Sequence, residues 1–184
     1  MYIGEKVKLT ASVIEKCEDF AEARVGGSAD EYKRRGEKRS VKIYNDILLG
    51  AAGEFAAYKY LSSCGVKVNK PDLEIYDVKN KSFDADLVSQ KYTFHVKSQG
   101  ETSRKRYGSS WLLQRKDKVV RDPGEFEYFI FTSVELPYVE ILGVVKCKDI
   151  KDYELYGECS VPSYRTTKVA LYLDDLDTLD LERF

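Results

Sequence analysis

The sequence is poor in the residues that staple or span. It holds one histidine, His95, one methionine, one tryptophan, four prolines and four cysteines. Cys17, Cys64, Cys147 and Cys159 are widely scattered with no Cys-x-x-Cys pair, so zinc-ligand spacing is absent and a disulfide scaffold is not expected. No apolar run approaches the length of a membrane span, and the start, Met-Tyr-Ile-Gly-Glu-Lys-Val-Lys, lacks the apolar stretch of a signal peptide. These absences lead to the expectation of a reduced, cytoplasmic protein with no membrane partner. Internal repeats and low-complexity linkers are missing too.

Net charge is also scarce, at −1, which argues neither for nor against nucleic acid. Its distribution is uneven. Lys33, Arg34, Arg35, Lys38, Arg39 and Lys42 crowd one segment against Glu37 alone, and residues 97–121 carry Lys97, Arg104, Lys105, Arg106, Arg115, Lys116, Lys118 and Arg121 against Glu101 and Asp117. The end is acidic. Two basic segments on a near-neutral chain form either a phosphate-facing surface or ordinary solvated faces. At 184 residues, 43% hydrophobic and 33% charged, the chain reads as one globular domain able to bury a core unaided.

Residues 13–25 carry Val13, Ile14, Cys17, Phe20 and Ala21 on one helical face, with a capping pattern at Ser12 and a stop at Gly26-Gly27. A second, short helix is expected from Ser28 into the basic run. The third, over residues 41–63, shows an apolar stripe of Ile43, Ile47, Leu48, Ala51, Phe55, Tyr58 and Leu61, with Gly65 placed for a left-handed C-terminal cap. At 100° per residue Glu54 falls inside that stripe. A carboxylate facing the body of a protein needs a cation, a metal ion or a lysine being the usual answers, or else an ion pair with a basic neighbour in the sheet. Residues 66–78 read as one or two strands broken at Pro71, with Asp72 a turn residue.

The centre of the chain is residues 83–99, two alternating strands around a turn at Gln90-Lys91. A two-residue turn sets Asp86 opposite His95 and Asp84 opposite Lys97, gathering polar groups, Gln99 among them, on one face. The basic stretch 100–107 follows as an expected mobile loop. Trp111 is either a core anchor or a base-stacking residue. Residues 126–134 and 139–145 read as neighbouring buried strands turning at Pro137, and 168–173 as a last strand before an acidic tail with Leu176, Leu179 and Leu181 in helical spacing.

An Asp on one strand followed by a triplet ending in Lys, here Asp86 (or Asp84) and His95-Val96-Lys97, resembles the PD-(D/E)xK nuclease superfamily. Leu49-Gly-Ala-Ala-Gly-Glu54 is similar to the helix that precedes the core sheet in many of its members, and Ser110-Trp111-Leu-Leu-Gln114 is similar to a stretch that follows the lysine in phage and restriction-type nucleases. The triplet departs from the family in carrying His where Glu, Asp or Gln is usual. The resemblance spans residues 40–145. It implies an α/β (α+β) fold with a restriction endonuclease-like core, a mixed central β-sheet flanked by helices, with N-terminal helices preceding the sheet. Residues 1–40 would be an N-terminal helical extension, 41–145 the catalytic core, and 146–184 a C-terminal strand and acidic tail.

By the same resemblance the activity is metal-dependent DNA endonuclease, with Mg²⁺ or Mn²⁺ as cofactor and DNA as partner. A homodimer would suit a double-strand cutter. Asp86, Glu54 and the Val96 carbonyl would hold metal, with Asp84 in reserve, and Lys97 would orient the attacking water or the phosphate. His95 has several readings: a ligand for a softer ion, a base, a phosphate donor, an incidental substitution, or the mark of a disarmed site. Gln99, Arg104, Lys105, Arg106, Ser110, Gln114, Arg115, Arg34 and Arg35 are the candidate DNA contacts. The alternative is a nuclease-fold module that binds DNA or a partner without cleaving.

Overall fold

The computed structural model describes residues 3–34, 40–74, 85–179 and 182, with the backbone alone for 26–34. Strand β1 (Glu5–Lys8) leads into helix α1 (Ala11–Arg34) and helix α2 (Ser40–Ser63). Next come the two-residue strand β2 (Leu87–Val88), β3 (Thr93–Gly100), the short helix α3 (Glu101–Tyr107), β4 (Ser110–Gln114) and α4 (Lys118–Arg121). The long strands β5 (Glu127–Glu135) and β6 (Tyr138–Lys146), helix α5 (Cys147–Asp152), β7 (Lys168–Tyr172) and α6 (Leu173–Leu176) complete the order.

The main sheet is mixed, in the order β1-β6-β5-β3-β2, with only β3 and β5 parallel. That parallel pair requires a crossover, which α3, β4 and α4 supply. Strand β4 leaves the main sheet to pair antiparallel with β7 in a second, two-stranded sheet. A mixed β-sheet flanked by helices is therefore the architecture.

Alternation along β3 explains the layering. Phe94 and Val96 point to a core shared with Ala52, Ala56, Ala57 and Leu61 of α2 and with Ile130 and Val144. The opposite face, with Phe129 and Phe131 of β5, packs on Trp111, Leu113, Val169 and Leu171 of the small sheet and on Ile150 and Leu176. Helix α1 lies outside α2, burying Cys17, Phe20 and Ala21 against Ile43, Ile47 and Ala51. Helix α2 is thus buried on two sides, wider than a single stripe. Its sheet-facing side is small because the helix approaches β3 closely: a Cβ on Gly100 would stand 2.8 Å from Leu49 Cδ1.

Several local expectations are corrected. Gly26-Gly27 does not stop a helix; α1 runs on to Arg34 and absorbs the separate second helix, since glycine inside a helix costs only about 1 kcal/mol each. The N-terminal part is not purely helical and does not wholly precede the sheet, because β1 forms its edge on β6. Residues 66–74 are not a strand. Asn69 instead bonds both backbone groups of Val88, its backbone N–H donating to Val88 O (3.0 Å) and its side-chain Oδ1 accepting from Val88 N–H, so one residue takes the place of a neighbouring strand. The basic stretch after β3 is the helix α3 and not a loop, with Lys105 ion-paired to Glu101 one turn back. Residues 75–84, where the rest of the expected strand lies, fall outside the described residues.

Trp111 is a core anchor. It is 2% exposed, its ring lies 4.6 Å from that of Phe131, and its Nε1–H donates to Thr132 O at 3.2 Å. Base stacking by this side chain is excluded by its burial. Asp72 is a turn residue as expected, its Oδ1 accepting from Glu74 N–H at 2.8 Å. Gly65, at φ +81°, caps α2, with Val66 N–H reaching back to Leu61 O at 2.9 Å.

Candidate active site

The hairpin of β2 and β3 has the register that its two-residue turn requires. Leu87 pairs with Phe94 and Val88 with Thr93, and Ser89 N–H donates to Tyr92 O across the turn at 2.8 Å. Extended by one residue, this register sets Asp86 beside His95. Strand β2 stops there, and among the described residues nothing pairs with β3 on that side beyond Leu87. In place of a strand, the Asp86 carboxylate accepts the Val96 N–H at 2.7 Å. A residue in a strand sends its N–H and C=O to the same edge, so the Val96 carbonyl opens beside Asp86.

Glu54 reaches this edge from α2. The residue before it, Gly53, presses against Ser98 and Thr132, which sets the helix close to β3. The Glu54 carboxyl is pushed up to about 8, first by burial and then by the charge of Asp86; Arg24 and Lys97 oppose the rise and Asp72 adds to it. The Asp86 carboxylate at the end of β2 therefore adds to the cost of charging the buried Glu54. No ion pair joins Glu54 to Arg24 or Lys97, so both cations act across a gap.

Lys97 aligns with Phe131 and shares the face of His95 and Gln99. Its charge also opposes the rise in the Cys147 thiol pKa, which burial first and then Glu127 push up. His95 packs its ring 5.9 Å from Phe129. Burial and Lys97 hold its pKa below the ordinary value against the pull of Asp86, Glu127 and Asp117, and its Nε2 is buried without a hydrogen-bond partner. Its burial thus disfavours the charged imidazole, and one nitrogen is unsatisfied.

Of the predicted residues, Asp86 is held by the Val96 backbone and Glu54 feels the charges of Asp86 and Lys97, while Lys97 itself leaves β3 on the face turned away from α2. Asp84 and Arg35 lie outside the described residues, and so does the side chain of Arg34. The remaining basic and polar candidates are mostly engaged within the protein. Arg104 bonds Ser133 Oγ (3.2 Å) and pairs with Glu140 (2.8 Å). Arg106 lies 5.3 Å over Tyr107, and Arg115 Nε donates to Arg165 O at 3.1 Å. Gln114 pairs with Lys168 in the small sheet.

Gln99 is buried and clamps the start of β4: its Nε2 donates to Gly108 O (2.9 Å) and its Oε1 accepts the Ser110 N–H (3.1 Å). Gln99→Leu strands both backbone groups and is expected to cost about 2–3 kcal/mol in urea unfolding. Wild-type stability in that variant would show that the clamp contributes nothing.

Sequence reasoning missed Arg24, and it confined Asp72 to a turn. The signal for Arg24 was present: it stands seven residues after Cys17 and four after Phe20, a charge on an apolar stripe, as Glu54 is on α2. Among the described residues no group of three His, Cys, Asp or Glu side chains is placed to hold a metal ion, and no helix is long and apolar enough to cross a membrane. No protein-family model matches the chain, and no curated protein or solved structure matches it either.

Proposed function

We propose that the protein is a metal-dependent deoxyribonuclease that hydrolyses phosphodiester bonds at the open end of β2, as its resemblance to PD-(D/E)xK nucleases implies. The observation that carries the reading is the buried Glu54 carboxyl under the charge of Asp86, whose own carboxylate is fixed by the Val96 N–H. A buried carboxyl whose proton affinity a second carboxylate raises is an arrangement that a hard divalent cation relieves. With the Val96 carbonyl the two form an all-oxygen donor set. It contains two acidic side chains, so it stands without a third described ligand. Mg²⁺ or Mn²⁺ there would supply Lewis acidity and charge neutralisation for the hydrolysis.

The chain's own residues do the rest. The Val96 N–H fixes the Asp86 carboxylate, so its orientation does not depend on the substrate. Lys97, rooted on the face of β3 opposite α2, donates N–H groups to a phosphate oxygen or to the attacking water, countering charge that develops on the phosphate. The blocked outer edge at Asn69 confines approach to the end where Asp86 stands. DNA is the partner, and a two-fold dimer would match a duplex substrate.

One observation favours a second reading, a binding module that no longer cleaves. His95, at the first position of the triplet, rests against Phe129 and gives the site one carboxylate fewer. Incubation of supercoiled plasmid and linear DNA with Mg²⁺ or Mn²⁺ separates the two. The enzyme reading expects nicking or cutting, slowed at least a hundredfold by Lys97→Ala. DNA binding without cutting under either metal would overturn it in favour of the module.

A further inference from the structure

A cation on the helical side of the carboxylate pair has no role in the reading above. Arg24 stands one turn beyond Phe20 and Ala21, continuing the face of α1 that is buried on α2. Side chains on a helix lean toward its N-terminus, and Arg24 does so, with its guanidinium 5.4 Å from the centre of the Phe20 ring. Helices α1 and α2 are successive, joined by residues 35–39 alone, and so run antiparallel. Leaning back along α1 therefore carries the guanidinium toward the C-terminal half of α2, where Glu54 stands. Electrostatics agree: Arg24 acts on Glu54 more strongly than Lys97 does, and the Cys17 thiol, two turns back on the same face, is raised in part by Glu54.

We propose that Arg24 is a phosphate-binding residue of the site, holding one backbone phosphate of the nucleic acid on the α1 side of the Glu54–Asp86 pair while Lys97 faces the substrate from the sheet. The inference rests on the nuclease reading and extends it to the path of the strand, which crosses between helix α1 and the open edge of β3. The Phe20 ring beside it holds the guanidinium on this side of the site, and the fork of N–H donors of a guanidinium suits two-point contact with phosphate oxygens. It also accounts for the separation between Arg24 and Glu54. A cation that served only to neutralise the carboxylate would gain by closing on it, and Arg24 does not form that pair.

Fluorescence anisotropy with a fluorescein-labelled short duplex, in EDTA and across a salt series, tests this apart from cleavage. Arg24→Ala is expected to bind about tenfold more weakly and to lose about 0.9 from the slope of log K against log salt, one phosphate contact. Arg24→Lys should recover the slope and only part of the affinity, since the two-point geometry is gone. Unchanged affinity and slope in Arg24→Ala would overturn the proposal. So would weaker binding at an unchanged slope, which marks a role in shape alone, or no duplex binding by the wild type. A wild type that binds with the Arg24-dependent slope yet leaves plasmid intact keeps Arg24 as a phosphate ligand and removes the hydrolytic reading.

Discussion

Glu54→Gln is expected to abolish plasmid cleavage and, at pH 8, to make the protein more stable. Both follow from one fact, the carboxyl pushed up to about 8 by burial and by Asp86. Glu54 takes up its proton more readily in the folded chain than in the unfolded one, where its pKa lies near 4.5. Between those values the folded state binds more protons, so its stability falls as the pH rises. The contribution is fully present below about 4.5 and lost as the pH passes through about 8. Glutamine keeps the shape and removes the titration. At 1.4 kcal/mol per pH unit, reduced for the solvent contact that Glu54 keeps, the variant should gain about 2–4 kcal/mol at pH 8. In a chain of this length that is a rise in Tm of roughly 5 °C or more, vanishing near pH 5.

Divalent cation should act on one protein and not on the other. Mg²⁺ or Mn²⁺ is expected to raise the Tm of the wild type at pH 8 and to leave that of Glu54→Gln almost unmoved. Melting curves from pH 5 to 9, with metal and with EDTA, check all of this. A variant that is no more stable than wild type at pH 8 would mean that the Glu54 charge is already compensated within the chain, and the case for a cation there would fall with it.

The parts of this site that were legible in the sequence are those dictated by local geometry. A two-residue turn fixes a hairpin register, so Asp86 and His95 could be set side by side from spacing alone. A 3.6-residue period placed Glu54 among apolar neighbours, and Gly65 marked where α2 would end. Long-range contacts were not legible in the same way. Whether Val66 and Val68 join a sheet depends on what stands beside them, and Asn69 closes that edge with one backbone and one side-chain bond. The polar run after β3 shows no hydrophobic period, and it is helical on the strength of local ion pairing and its connection to β3. Gln99 reads as a DNA contact because nothing in the sequence says that β4 leaves the main sheet just where Gly108 and Ser110 can use both ends of its side chain. Arg104 looked like a DNA contact because its partners, Ser133 and Glu140, lie about thirty residues away.

The tightest of these long-range contacts lies beside the site, and Gly53→Val is expected to destabilise the protein by about 3 kcal/mol or more. Alone, glycine in mid-helix is a poor choice, and a side chain there should help by up to about 1 kcal/mol. The sheet reverses the sign. A Cβ at Gly53 would overlap Ser98 Oγ and stand 2.9 Å from Thr132 Oγ1 and 3.2 Å from Ser98 Cβ. Relief requires breaking the 3.0 Å hydrogen bond between Thr132 and Ser98, or moving α2 off β3. Thr132 is fully buried, so a hydroxyl turned away from Ser98 meets no water. Moving the helix separates Ala52, Ala56 and Ala57 from the sheet and carries Glu54 away from Asp86. Overpacking of this kind costs about 1–3 kcal/mol for added methylenes, and valine adds its branched methyls to the overlapping Cβ. Because the clash is pairwise, Ser98→Ala should recover part of the loss, with a positive coupling of about 1 kcal/mol in a double-mutant cycle followed by urea unfolding. Equal costs in both backgrounds would show that the helix yields as a whole, and the close approach at Gly53 would then not be what positions Glu54.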